Sequence, residues 1–456
     1  MRLTHTDRRR LALLVVLVAA VTVFTATVPL LRDWFDLRVY HGTVDSWIHH
    51  GGRIYDYRVP GTTYGFTYPP FAAVVMMPMA LVDLHTAIAV ALLLDVAALA
   101  FVLYVLADGV WRRHGWYGCA LAVCALALFE PLRDTFSFGQ VNILLLALVL
   151  LDCRLLTTGR HRWAGVGIGL AAAIKLTPAA FIGLLLVARR GRTAAVATAV
   201  ATAATALAAW TAPGASRFYW THAMWDTTRV GRLDYVSNQS LQGVLARLGL
   251  MDRGLWAALV LVALGVWAAR TRRAVAAGDW TAAFALTGLT ASLISPITWV
   301  HHLVWLLPSL AVLVRAGRPW VAGALYAVLC TSVVWLWFDD ASGVDGFVGS
   351  NIYVWITLGL LLRLPVAQSC SARSTPLPRS TSEVAPAPIP AAPAIAQASA
   401  QPAPATPPAP PRAAAFEAGS GTGPGLGLAR KASSDPTGST RPAAANPQSS
   451  SSPASS

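Results

Sequence analysis

The chain is 456 residues long, 55% hydrophobic and only 12% charged, with a mean hydropathy of +0.55. So few charges cannot cover one or two soluble globules with a polar shell, which excludes an ordinary soluble enzyme and makes this an integral membrane protein. The formal charge of +14, from 35 basic and 21 acidic residues, comes from arginines clustered between apolar runs, as expected of cytoplasmic loops and not of a nucleic-acid-binding face.

In chain order, "MRLTHTDRRR" leads into apolar residues 11–31. That run is long enough to span a bilayer and lacks a small-residue cleavage site, so it predicts an uncleaved first helix with a cytoplasmic N-terminus. Further runs lie at 86–107, 117–130, 141–155, 164–188, 193–211, 255–271, 280–296, 300–315, 319–338 and 351–364. Several are shorter than a perpendicular span requires, which calls for tilt or for half-helices buried among neighbours. The clusters Arg112/Arg113, Arg154/Arg160/Arg162, Arg189/Arg190/Arg192, Arg270/Arg272/Arg273 and Arg315/Arg318 are all expected on the cytoplasmic side. Run 164–188 has arginines beyond both ends, so it enters and leaves on one side and turns near "KLTP", residues 175–178, where Pro178 breaks the helix. Segment 69–83 is too short for a span and reads as a juxtamembrane hairpin on the outer face. The sum is an all-α polytopic protein of about twelve transmembrane helices with both termini inside. Residues 1–365 form the membrane domain, and 366–456, rich in Pro, Ala and Ser, form a disordered cytoplasmic tail. The five cysteines (Cys119, Cys124, Cys153, Cys330, Cys370) show no CxxC and read as small hydrophobes, not as a disulfide or zinc framework.

This topology collects the polar features on the outer face. Asp33 and Asp36 flank the mouth of the first span; a partly desolvated carboxylate there suits a general base, while pairing with Arg32 or Arg38 would make it structural. Lys175 is the only lysine ahead of the tail. A lone cation at membrane depth either serves a site, a lipid phosphate being a fitting partner, or snorkels to the interface. His301 and His302 are adjacent and have no HxH or HxxxH partner, so one of them reads as a donor to phosphate or sugar in preference to a metal ligand. Gln140 and Asn142 in "FGQVN" either orient a sugar or satisfy a helix start. The aromatics of the first loop, Tyr40, Tyr64 and Tyr68 among them, either stack on sugars or form an interfacial belt. Asp339, Asp340 and Asp345 are spaced like a solvated loop, so no metal is expected. Strongly apolar span interiors and the absence of an inverted repeat weigh against the alternative of a lipid flippase or transporter.

Seven motifs in one order, "DWFDLRVY", "GGRIYDY", "YGFTYPPF", "FGQVNILLLAL", "GLAAAIKLTP", "SNQSLQGVLARL" and "SPITWVHHLVW", resemble glycosyltransferase family 87 of the GT-C superfamily, the polyprenyl-phosphate-mannose-dependent α-(1,2)-mannosyltransferases, from the first span to about residue 364. The resemblance implies a periplasmic or extracellular site, a first loop with juxtamembrane helices, and Asp36 as catalytic base at the aromatic-Asp-x-x-x-Tyr position that ends in Tyr40. The donor would be a polyprenyl-phosphate sugar and the acceptor a glycan or glycolipid, with no cofactor and no nucleic acid; the chain has no phosphate-binding loop for a nucleotide sugar. Lys175, His302 and Arg133 would then hold the departing phosphate, with His301, Gln140, Asn142, Asn238, Tyr40 and Tyr68 as further substrate contacts. Mannose and arabinofuranose donors are equally compatible with these residues.

Overall fold

A computed structural model of the chain describes residues 5–27 and 33–367. The expected tail lies outside the described residues save for its first two, as does Arg32. Helices dominate, and among the described residues the only strand-like pairing is an isolated bridge between Arg58 and Gly65.

The first helix, α1 (His5–Thr27), is followed by α2 (Phe35–His49) and by the short α3 (Pro70–Met76), which runs on as a 3-10 turn to Leu81. Twelve residues rise only about 18 Å as a helix, so segment 70–81 cannot span a hydrocarbon layer of about 30 Å. Next come α4 (Leu84–Leu106), α5 (Asp108–Leu128), α6 (Glu130–Phe138), α7 (Asn142–Thr157), α8 (Val166–Ile174), α9 (Ala180–Val187) and α10 (Gly191–Thr211). The remainder comprises α11 (Pro213–Thr221), α12 (Leu241–Arg247), α13 (Arg253–Ala276), α14 (Trp280–Ile294), α15 (Leu307–Arg315), α16 (Pro319–Cys330), α17 (Gly343–Ser350) and α18 (Ile352–Arg363).

Among the described residues α4, α10 and α13 can each cross a membrane by length and composition; counting each of the bent pairs α5/α6, at 73°, and α17/α18, at 58°, as one span brings the number to five. Segments 70–81, 177–187, 280–294, 300–315 and 319–330 form shorter apolar helices of 10–17 residues. The chain is therefore a helical membrane protein whose central helices are short or broken.

The break that matters most is in 164–188. Gly165 lies against Thr193 and Ala197, and Gly169 against Ala197 and Val200, so α8 runs beside α10 in the same direction. Helix α9 then returns to the start of α10 through residues 188–190, and the two arms form a hairpin with its turn at 175–179. Glycine spaced i, i+4 permits this approach: a Cβ on Gly169 would sit 2.5 Å from the Ala197 carbonyl oxygen, and one on Gly167 only 2.1 Å from that of Leu148. In lipid such close packing of small residues, more than apolar burial, holds helices together. Gly165 has no side chain to cap α8, and buried Asp152 from α7 does so instead, accepting the Ile168 N–H at 2.7 Å. Run 300–315 is also broken. Val300–Leu306 is a 3-10 helix, because Pro308 has no N–H for the Val304 carbonyl and its ring crowds that oxygen.

Candidate active site

The ends of α7, α8, α14 and the 3-10 helix 300–306 meet at one level, and a polar network fills the space they leave. It begins at α2. Trp34, in the left-handed region at φ 53°, turns the chain into the helix, and Asp36 stands in its first turn, partly buried. Asp33 is exposed and faces Arg38 at 3.9 Å, so among the described residues the aspartate–arginine pair is formed by Asp33, Arg32 lying outside them. The partner of Asp36 is Gln140. Helix α6 ends at Gly139 with φ 68°, where a Cβ would lie 2.7 Å from that of Leu37; only glycine lets α6 come this close to α2 and present Gln140 to the carboxylate.

From Gln140 the network continues in a fixed polarity. Its Oε1 accepts from the Tyr68 hydroxyl at 2.7 Å, which accepts from Tyr40 at 3.0 Å. The Lys175 ammonium, at the mouth of the α8/α9 hairpin, donates to Tyr68 Oη (3.2 Å) and Asn142 Oδ1 (2.9 Å), lies 2.8 Å from His302 Nε2 and sits 4.9 Å from the Tyr68 ring centre. Asn142 Nδ2 donates to the His301 carbonyl at 3.2 Å, so both amides can point only one way. His302 Nδ1 in turn accepts the Trp299 backbone N–H at 3.2 Å. Asp36 and Lys175 act on one another by charge, with Gln140 and Tyr68 beside them. Burial pushes the Asp36 carboxyl up to about 6, against the opposing pull of Gln140 and Lys175. Burial likewise raises the Tyr40 and Tyr68 phenols well above their ordinary value, so both stay neutral donors.

Beneath Lys175 the packing is tight. The void lined by Asn142, Thr298 and His302 is about 10 Å³, the size of a single water.

Three expected residues stand outside this network. Arg133 is bonded to Ser332 Oγ at 2.6 Å and lies over the Phe24 ring; its position on α6, more than a turn before Gln140, carries it toward α16 and away from Lys175. Asn238 is wholly buried and spent on backbone, donating to Leu233 and Pro296 carbonyls and accepting from the Thr298 N–H. It pins the loop that carries Trp299. The His301 ring packs on Phe138 at 5.5 Å, and its Nε2 finds no partner among the described residues; what joins the network is its carbonyl. Sequence reasoning missed Trp299, whose backbone N–H carries no residue-type signal. It also missed Glu130, which is fully buried and accepts from Trp335 Nε1 and Tyr353 Oη; a lone glutamate in the apolar "LFEP" turn was the available sign.

A carboxylate raised toward neutrality and a partly buried amine stand together at the ends of truncated helices in a helical membrane protein. The model of glycosyltransferase family 87 matches residues 66–296, just over half the chain, and the chain belongs to that family. Over 305 residues, 62% of this chain and 70% of the relative, it is 33% identical to the polyprenol-phosphate-mannose-dependent alpha-(1-2)-phosphatidylinositol mannoside mannosyltransferase of Mycobacterium tuberculosis. The protein so named in Mycolicibacterium smegmatis is 37% identical over 281 residues, 55% of this chain and 62% of that relative, so the chain spans under two thirds of its length. The polyprenol-phosphate-mannose-dependent alpha-(1-2)-phosphatidylinositol pentamannoside mannosyltransferase of Mycolicibacterium smegmatis is 35% identical over 324 residues, 68% of this chain and 77% of the relative. No solved structure matches the chain.

Proposed function

We propose that the chain moves mannose from a polyprenyl-phosphate mannose to the 2-hydroxyl of a mannoside acceptor of the phosphatidylinositol mannoside kind, with inversion, as a multi-pass protein of the cell membrane whose site faces the periplasm. Asp36 takes the proton of the acceptor hydroxyl as its oxygen attacks the anomeric carbon. The bond from that carbon to the phosphate oxygen breaks, and its electron pair leaves with the polyprenyl phosphate. The leaving phosphate is weakly basic, so charge stabilisation by Lys175 and His302 replaces a general acid. The observation that carries this reading is the gathering of Lys175, Asn142, His302, Tyr68 and Gln140 into one bonded network within electrostatic reach of Asp36. Asp36 suits a proton and Lys175 a phosphate, and a single substrate pair would bridge them. The single carboxylate distinguishes this from the two-carboxylate arrangement of soluble glycosidases.

The test is Asp36→Asn in membranes supplied with labelled lipid-linked mannose. Loss of a general base lowers transfer by about two to four orders of magnitude while donor binding persists; full transfer by the variant removes Asp36 from the mechanism.

A further inference from the structure

Beside the network lies a second concavity, a cleft of about 510 Å³ between the first loop and the segment 227–251, within the range of roughly 300–1,000 Å³ common for ligand sites. Tyr64, Arg232 and Asp234 line it, with Met251 at its edge. Tyr64 is 42% exposed, yet its ring is held by Phe35, edge to face at 6.0 Å. Arg232 forks onto Asp234, Nε to Oδ1 at 3.0 Å and Nη2 to Oδ2 at 2.6 Å. That leaves a flat plate with free donors on one rim and acceptor lone pairs on the other. The two charges cancel, so the plate offers no net attraction to a phosphate. An aromatic face beside a paired donor–acceptor plate is chemistry suited to a neutral polyhydroxylated ligand.

The walls of the cleft lead to the network. Phe35 precedes Asp36 in the chain. On the other side Gly231, at φ 149°, presses on Trp299, where a Cβ would lie 2.9 Å from the indole, and Trp299 is the residue that holds His302. We propose that this cleft receives the non-reacting sugars of the acceptor glycan, Tyr64 stacking on one ring and the Arg232–Asp234 plate bonding its hydroxyls, while the terminal sugar reaches Asp36. The assignment rests on the function proposed above.

The test compares octyl α-mannoside with an octyl trimannoside, both as acceptors and, by saturation-transfer NMR in detergent, as ligands, for the wild type, Tyr64→Ala, Arg232→Ala and the cleft-filling Met251→Trp. The wild type should favour the trimannoside in kcat/KM, and each variant should lose about tenfold of that preference through KM, with its thermal midpoint unchanged. Met251→Trp keeps the test open should Tyr64→Ala not fold. A wild type indifferent to acceptor length, or variants that retain the preference, overturns the cleft assignment and leaves the transferase reading standing. Absence of transfer to either acceptor, with trimannoside binding still lost in the variants, overturns the transferase reading and keeps the cleft.

Discussion

Asp36 shows how environment outweighs residue type at the smallest scale. Its neighbour Asp33, three residues earlier, is exposed and faces an arginine, whereas Asp36 is turned inward onto an amide. If Asp36 is the base, it works only when unprotonated, so with its carboxyl at about 6 kcat/KM should rise with pH through that value. An acid limb nearer 4, measured with the donor saturating, would show that the group is not held in its buried setting. The sequence made Asp36, Lys175 and His302 legible because ionisable groups are rare in such a chain and costly at membrane depth. It could not order the neutral groups. Gln140 and Asn142 were ambiguous between substrate contact and helix start; the fold makes them connectors, one for the carboxylate and one for the ammonium. Asn238, expected at the site from its motif, bonds only backbone groups, those of Leu233, Pro296 and Thr298, and Arg133 bonds Ser332 through one nitrogen while its Nε and Nη1 have no partner among the described residues.

At the level of elements, periodicity and arginine placement located the runs and foresaw the reversal at 175–178. They did not foresee the 3-10 stretch before Pro308, since the carbonyl that proline leaves to the Leu307 N–H lies four residues back in an uninterrupted apolar run. Nor did they foresee that the α8/α9 hairpin depends on its neighbours. Asp152→Ala removes the cap of α8 and should cost about 1–2 kcal/mol, read as a lowered thermal midpoint in detergent with Asp152→Asn recovering most of it. If Asp152→Ala melts like the parent, the cap is dispensable. Glu130 does similar work at the α5/α6 bend, where bonds to Trp335 and Tyr353 tie distant segments together.

For the whole molecule, the arginine clusters and the network fall at opposite ends of the same helices. Arg154 ends α7 where Asn142 begins it, and Arg315 reaches Asp279 at the foot of α14. The proposed topology follows if the arginine end is cytoplasmic. A cysteine placed by Tyr64→Cys in a cysteine-free background should then react with an impermeant thiol reagent on intact cells, and one placed by Arg160→Cys only after permeabilisation; the reverse pattern would put the site in the cytosol. The length of α8 sets the elevation of the ammonium. One more helical turn in each arm of the hairpin would lift Lys175 by about 5.4 Å, clear of Asn142 and His302, and break its bonds to them. Insertions and deletions should therefore be far rarer between residues 166 and 187 than in the loops, because this stretch acts as a gauge whose calibration is its residue count.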